Sequence, residues 1–181
     1  TLCRIAEQEK MEQEKQWVKQ FPMKKLIEMN WLSQSENNVE GLLSFFGVAD
    51  SEAWGKVWHD VNVAYAYRKS NKRKTDIFAL AAWLRRGELM ANKKEVSEFN
   101  REKLVKMLPK LKELSLKKAK DLQEGGTKLL ADCGIILIFV QELPNMPISG
   151  VYRCLSNGKR VIQLSLRYKT NDQVWFSLAH E

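Results

Sequence analysis

The chain ends on His180-Glu181, and a histidine followed by a glutamate on a helix opens a well-defined metal chemistry. When a second histidine follows four residues after the first, both imidazoles lie on one helix face and bind zinc, while the glutamate polarises the attacking water. His180 is thus the candidate metal ligand and Glu181 the candidate catalytic base. The plainer account of His180 is a helix-terminal histidine interacting with the helix dipole. His59, between Trp58 and Asp60, has no partner at metal-ligand spacing and reads as an ordinary, partly buried histidine. A second chemistry is electrostatic. Arg68, Lys69, Lys72, Arg73 and Lys74 fill a polar loop, and Lys93, Lys94, Lys103, Lys106, Lys110, Lys112, Lys117, Lys118 and Lys120 follow. Such a surface attracts phosphates without reading sequence. No aromatic is interleaved with the loop as a stacking platform, which argues against an RNA-binding module and leaves a solvated lysine face as the plainer account.

The elements that carry these groups follow from periodicity. Arg4 to Lys19 is rich in Glu, Gln and Lys, with apolar residues at Ile5, Met11, Trp17 and Val18, the pattern of a largely solvated helix. Pro22 is placed to begin a next helix, and Leu42, Leu43, Phe45 and Phe46 belong to a third that ends at Gly47. Asp50 or Ser51 caps a helix with Trp54, Val57 and Trp58. Thr75 is the expected cap of Ile77 to Met90, whose apolar residues on most sides mark a central buried helix. Asn100 caps a helix that Pro109 should kink or divide, and Leu116 to Asp132 forms another despite Gly125-Gly126. Trp54, Trp58 and Trp83 stand among Leu and Val at helical spacing, as core residues do.

The period changes after Gly134. Ile135 to Val140 is an unbroken apolar run, the signature of a strand buried on both faces. Gly150 to Leu155 and Arg160 to Leu166 are two more strands joined by Ser156-Asn157-Gly158-Lys159, a strong hairpin signal. In the last strand Val161, Gln163 and Ser165 alternate with Ile162, Leu164 and Leu166, which predicts one polar and one buried face. Thr170 and Gln173 have capping-box spacing for the helix that carries Val174, Trp175, Leu178, Ala179 and His180. The expected class is α+β: a multi-helix N-terminal and middle region, then a small antiparallel sheet, then the start of the His-Glu helix. The expected division is a connecting helix over 1–20, a helical region over 21–132 and a partial α+β domain over 133–181.

Composition bounds the rest. The 181 residues carry 30 Lys plus Arg against 22 Asp plus Glu, and 44% are apolar, enough for a core. The excess charge is local: residues 66 to 128 hold 18 basic and 8 acidic side chains. No apolar run reaches the roughly 18 to 20 residues of a membrane span, and no signal-peptide pattern opens the chain. Cys3, Cys133 and Cys154 are odd in number and far apart, so neither a disulfide framework nor a CxxC knuckle is expected. Cys133 and Cys154 read as small buried residues, and the expected compartment is the cytoplasm.

Ser149 to Arg153, Val161 to Lys169 and Asp172 to Glu181 together resemble the ImmA/IrrE family of zinc-peptidase-like domains, where a hairpin leads into a helix reading (F/W)(S/T)xxHExxH. Leu42 to Val48, Tyr67 to Ser70 and Ala81 to Glu88 resemble the helical region of XRE-type, antitoxin-like transcriptional regulators that carry such a domain. The resemblance implies an N-terminal helix-turn-helix preceding Thr1, a helical middle, and completion of the HExxH motif after Glu181. It also implies zinc as the family's cofactor, with His180 matching its first ligand and Glu181 its water-activating carboxylate, although one ligand alone gives negligible affinity. The implied partners are DNA, a cognate toxin or repressor protein, and a second copy of the chain, with no membrane. Two further functions stand beside regulation: a zinc-dependent metallopeptidase acting on a repressor or partner, and a basic nucleic-acid-binding module using residues 68 to 128.

Overall fold

The computed structural model describes residues 2–34, 37–58, 75–166 and 171–181. His59, Arg68, Lys69, Lys72, Arg73, Lys74 and Thr170 lie outside the described residues. The helices are α1 (Leu2–Val18), α2 (Met23–Glu28), α3 (Asn38–Phe46), α4 (residues 51–58), α5 (Ile77–Asn92), α6 (Arg101–Leu114), α7 (Ala119–Ala131) and α8 (Asn171–His180); the strands are β1 (Ile135–Val140), β2 (Gly150–Cys154) and β3 (Arg160–Ser165). The α+β class is the observed one. The chain forms two compact units, one of residues 1–85 with 143–147 and the other of residues 86–142 with 148–181.

The first unit is held by aromatic side chains. On α1, Ile5 and Met11 are exposed while Trp17 and Val18 are buried, so the solvated helix attaches through its last turn. Trp17 meets Phe21 edge-on at 5.1 Å and Trp54 at 5.9 Å, and Trp54 stacks on Phe78 at 5.2 Å. Such pairs contribute about 0.5–1.5 kcal/mol each beyond the area they bury. Helix ends are closed by side chains. Asn37 accepts from Glu40 N at the start of α3, and Gly47 ends α3 in the left-handed region at φ 68°. Asp50 Oδ1 accepts from Ala53 N, while buried Glu14 Oε1 accepts from Ser51 N and Ser51 Oγ, bringing α1 to the start of α4. The cap of α5 is Asp76, not Thr75: Asp76 Oδ1 accepts from Phe78 N and Ala79 N. Asp competes well for this position because a carboxylate at a helix start also meets the dipole.

In the second unit the sheet order is β1-β3-β2. β2 and β3 form the expected antiparallel hairpin, but β1 runs parallel to β3, from Ile135 opposite Arg160 to Val140 opposite Ser165. The sheet is therefore mixed, not antiparallel throughout, because β3 returns into the central position beside β1. That position also overturns the expected polar face. Gln163 is fully buried and Ser165 is 7% exposed, so β3 is covered on both sides. On one side Leu111, Leu122, Leu130, Ile135, Leu137, Ile162, Leu164, Val174 and Leu178 form one core of α6, α7, α8 and the sheet. On the other, α5 comes so close at Gly87 that a Cβ there would lie 2.7 Å from Gln163 Nε2.

Helix α6 runs unbroken through Pro109, which neither divides it nor prevents its last turn. Its cap is the expected one, Asn100, which accepts from Lys103 N at 2.8 Å. α7 starts later than Leu116, at Ala119. Of its glycine pair only Gly125 has a packing reason: a Cβ there would approach Leu114 Cδ1 to 2.9 Å, whereas one on Gly126 would meet Leu111, Leu137 and Leu178 at ordinary contact distances of 3.7 to 3.9 Å. α7 thus lies close on α6 and β1. Cys133 is buried as expected, whereas Cys154 is exposed at the end of β2, where the strand runs out into the hairpin.

Candidate functional site

Helix α8 brings its final residues to the sheet. Val174 and Leu178, one turn apart, are buried in the core, which fixes the helix rotation. Adjacent helix residues point roughly 100° apart, so His180 and Glu181 diverge. His180 is exposed, its ring lying parallel to that of Phe176 with 6.4 Å between centroids. Glu181 continues the helical pattern, its N–H donating to Ser177 O at 3.3 Å, and its side chain turns to the sheet, where Oε2 accepts from Tyr152 N at 3.0 Å.

The register shows where on β2 this contact falls. Ser165 N donates to Ser149 O, and Leu155 N donates to Lys159 O, so the odd-numbered residues of β2 bond to β3. Gly150, Tyr152 and Cys154 consequently direct their backbone groups away from β3. Among the described residues that side is the edge of the sheet. Glu181 therefore caps an outward N–H of the edge strand. Gly150 leaves the room for it: a Cβ there would lie 3.3 Å from Glu181 Cγ and 2.6 Å from Leu164 Cδ2.

Beside this contact lies a half-open cavity of about 540 Å³ lined by Phe99, Leu104, Leu108, Leu111 and Lys112 from α6 and the residue before its cap, by Leu130, Ile135, Tyr152 and Ile162 from α7 and the sheet, and by Trp175, Leu178, Ala179 and Glu181 at the end of α8. Arg160 braces the wall: its guanidinium lies 3.9 Å over the Phe99 ring, and Nη1 donates to Tyr152 Oη at 3.2 Å. Phe99 is itself fixed by Gly134, whose φ of 81° and contact with the Phe99 backbone, 2.5 Å from a Cβ placed there, leave no space for a side chain. The α6 and α8 apolar residues of this cavity are recognisable in the sequence as core. Phe99, Lys112 and Tyr152 are not, because only the meeting of three elements makes them neighbours.

As to metal, His180 is one imidazole donor, and Glu181 is engaged with Tyr152 N. Among the described residues no three His, Cys, Asp or Glu side chains converge. Zinc sites use three or four protein ligands, so the described residues do not by themselves fit the ion, and no chemical step through it is derived. The loop cluster of Arg68, Lys69, Lys72, Arg73 and Lys74 lies outside the described residues, while Lys103, Lys106, Lys110, Lys112, Lys117, Lys118 and Lys120 are all exposed on or between α6 and α7. Among the described residues no helix is long and apolar enough to cross a membrane. Comparison with family models, curated proteins and solved structures finds no match to this chain.

Proposed function

We propose that this chain is the regulatory part of an XRE-type, antitoxin-like transcriptional regulator, with residues 133–181 belonging to an ImmA/IrrE-like module. DNA would be bound by an N-terminal helix-turn-helix outside these 181 residues. The observation that carries the reading is the Glu181 contact: the helix that follows the hairpin ends in His180-Glu181, and its carboxylate rests on the outward N–H of Tyr152. That placement joins the two most specific parts of the resemblance, the hairpin and the His-Glu helix, in one local structure. The full-length protein is expected to protect a discrete DNA site upstream of its own gene in a footprinting assay. Absence of protection at low salt would remove the reading.

A zinc-dependent metallopeptidase is the second reading, favoured by the same dipeptide. It requires the full-length protein to hold one zinc per chain by elemental analysis, with loss of zinc in His180→Ala and loss of cleavage with zinc retained in Glu181→Gln. Absence of zinc from the full-length protein would end it.

A further inference from the structure

The cavity beside Glu181 has the size and character of a ligand site. Its 540 Å³ lies within the roughly 300–1,000 Å³ range of small-molecule pockets. The depth is apolar, with Leu111, Leu130, Ile135, Ile162 and Leu178 all under 7% exposed. Lys112 and Glu181 are the charged residues of its lining, and they are not equivalent. Glu181 already accepts a backbone hydrogen bond, whereas Lys112 is exposed and makes no ion pair among the described residues. α6, which supplies Lys112, carries five basic and two acidic side chains, so the field at that wall favours an anion. An extended peptide adding to β2 would have to displace Glu181 from Tyr152 N, which disfavours strand addition as the way this cavity is filled.

We propose that the second unit binds a small amphipathic carboxylate, its hydrocarbon tail lying in the cavity between α6, α8 and the sheet and its head group paired with Lys112. Tail burial supplies most of the affinity, and the lysine sets the preference for an anion. This site gives physical form to the sensing role within the regulatory reading, but it depends on neither DNA nor zinc.

The test uses full-length protein and cis-parinarate, a fluorescent unsaturated carboxylate whose emission rises on leaving water. Saturable emission is expected, displaced by dodecanoate below its micellar concentration, with dodecanol and dodecylamine weaker competitors. Lys112→Gln is expected to weaken dodecanoate about twofold to fivefold, within the range of an exposed ion pair, and to leave dodecanol unchanged. Ala179→Leu, which narrows the mouth from an exposed helix position, is expected to weaken both. Circular dichroism would establish that both variants fold. Failure of cis-parinarate to saturate, equal or better competition by dodecylamine, or affinities indifferent to both substitutions would each overturn the proposal. DNA protection measured on the same preparations separates its failure from failure of the regulatory reading.

Discussion

Replacing Gly87 by alanine tests how closely α5 packs on the sheet. In an exposed helix this change would stabilise by about 1 kcal/mol, since glycine is the weaker helix former. Here the added methyl would fall 2.7 Å from Gln163 Nε2 and nearer still to Oε1 and Cδ. Gln163 is fully buried on the central strand and has little room to withdraw. Overpacking costs about 1–3 kcal/mol, and so close an approach to a fully buried side chain belongs at the upper end of that range. Set against the helix gain, Gly87→Ala should destabilise the second unit by about 2 kcal/mol. At roughly 4–8 °C per kcal/mol for a unit of this size, that lowers its melting temperature by roughly 8–16 °C. A double-mutant cycle isolates the cause, because Gln163→Ala removes the three atoms nearest the methyl, Oε1, Cδ and Nε2. In that background Gly87→Ala should be neutral or slightly stabilising, giving a coupling energy of about 2–3 kcal/mol by thermal melting. An equal cost in both backgrounds, or stabilisation of the parent, would refute the close packing of α5 on β3.

Other consequences can be measured alongside. Gly126→Ala should stabilise by about 1 kcal/mol in chemical denaturation, since its methyl meets Leu111, Leu137 and Leu178 at ordinary contact distances, while Gly125→Ala should be close to neutral because Leu114 must move aside. The Ala53 N–H, before any contribution from Lys10, holds the Asp50 carboxyl below its usual 3.8. A lowered folded pKa gives stability that is complete above 3.8 and is lost as pH falls through the folded value. Asp50→Asn should therefore flatten the acid limb of the stability curve below about pH 4 and leave its shape at neutral pH unchanged. Burial pushes the Cys133 thiol up, whereas Cys154 is exposed, so iodoacetamide at pH 8 should label the Cys154 peptide before that of Cys133 by mass spectrometry, and the reverse order would contradict the placement of both.

How much of this was legible in the sequence depends on whether a feature is local. The run Ile135 to Val140, the Asn157-Gly158 turn, the Asn100 cap and Gly47 each carry their information within a few residues, and each appears where periodicity and turn chemistry put it. The sheet order was not legible, because an apolar run reports burial and not its neighbour; β1 pairs with β3 only once the hairpin has folded back. Gln163 and Ser165 show the same limit. Their alternation is a true strand signal, but whether the polar side meets water is decided by α5, which a period-2 pattern does not contain. Gly87 and Gly125 are local traces of such approaches, and a glycine inside a helix names a close contact without naming its partner.

The candidate site divides in the same way. The identity of His180-Glu181 was plain, and so was its place at the end of a helix after a hairpin. The directions of the two side chains were not, because they are set by Val174 and Leu178, which anchor α8 in the core and leave the helix one rotation. With Leu178 inward, Glu181 comes round to Tyr152 while His180 faces solvent beside Phe176. A change at Leu178 would therefore act on Glu181 through helix rotation before it acted through any direct contact. Fold and site are consequently one question at this end of the chain: the residues that look structural decide what the residues that look chemical can reach.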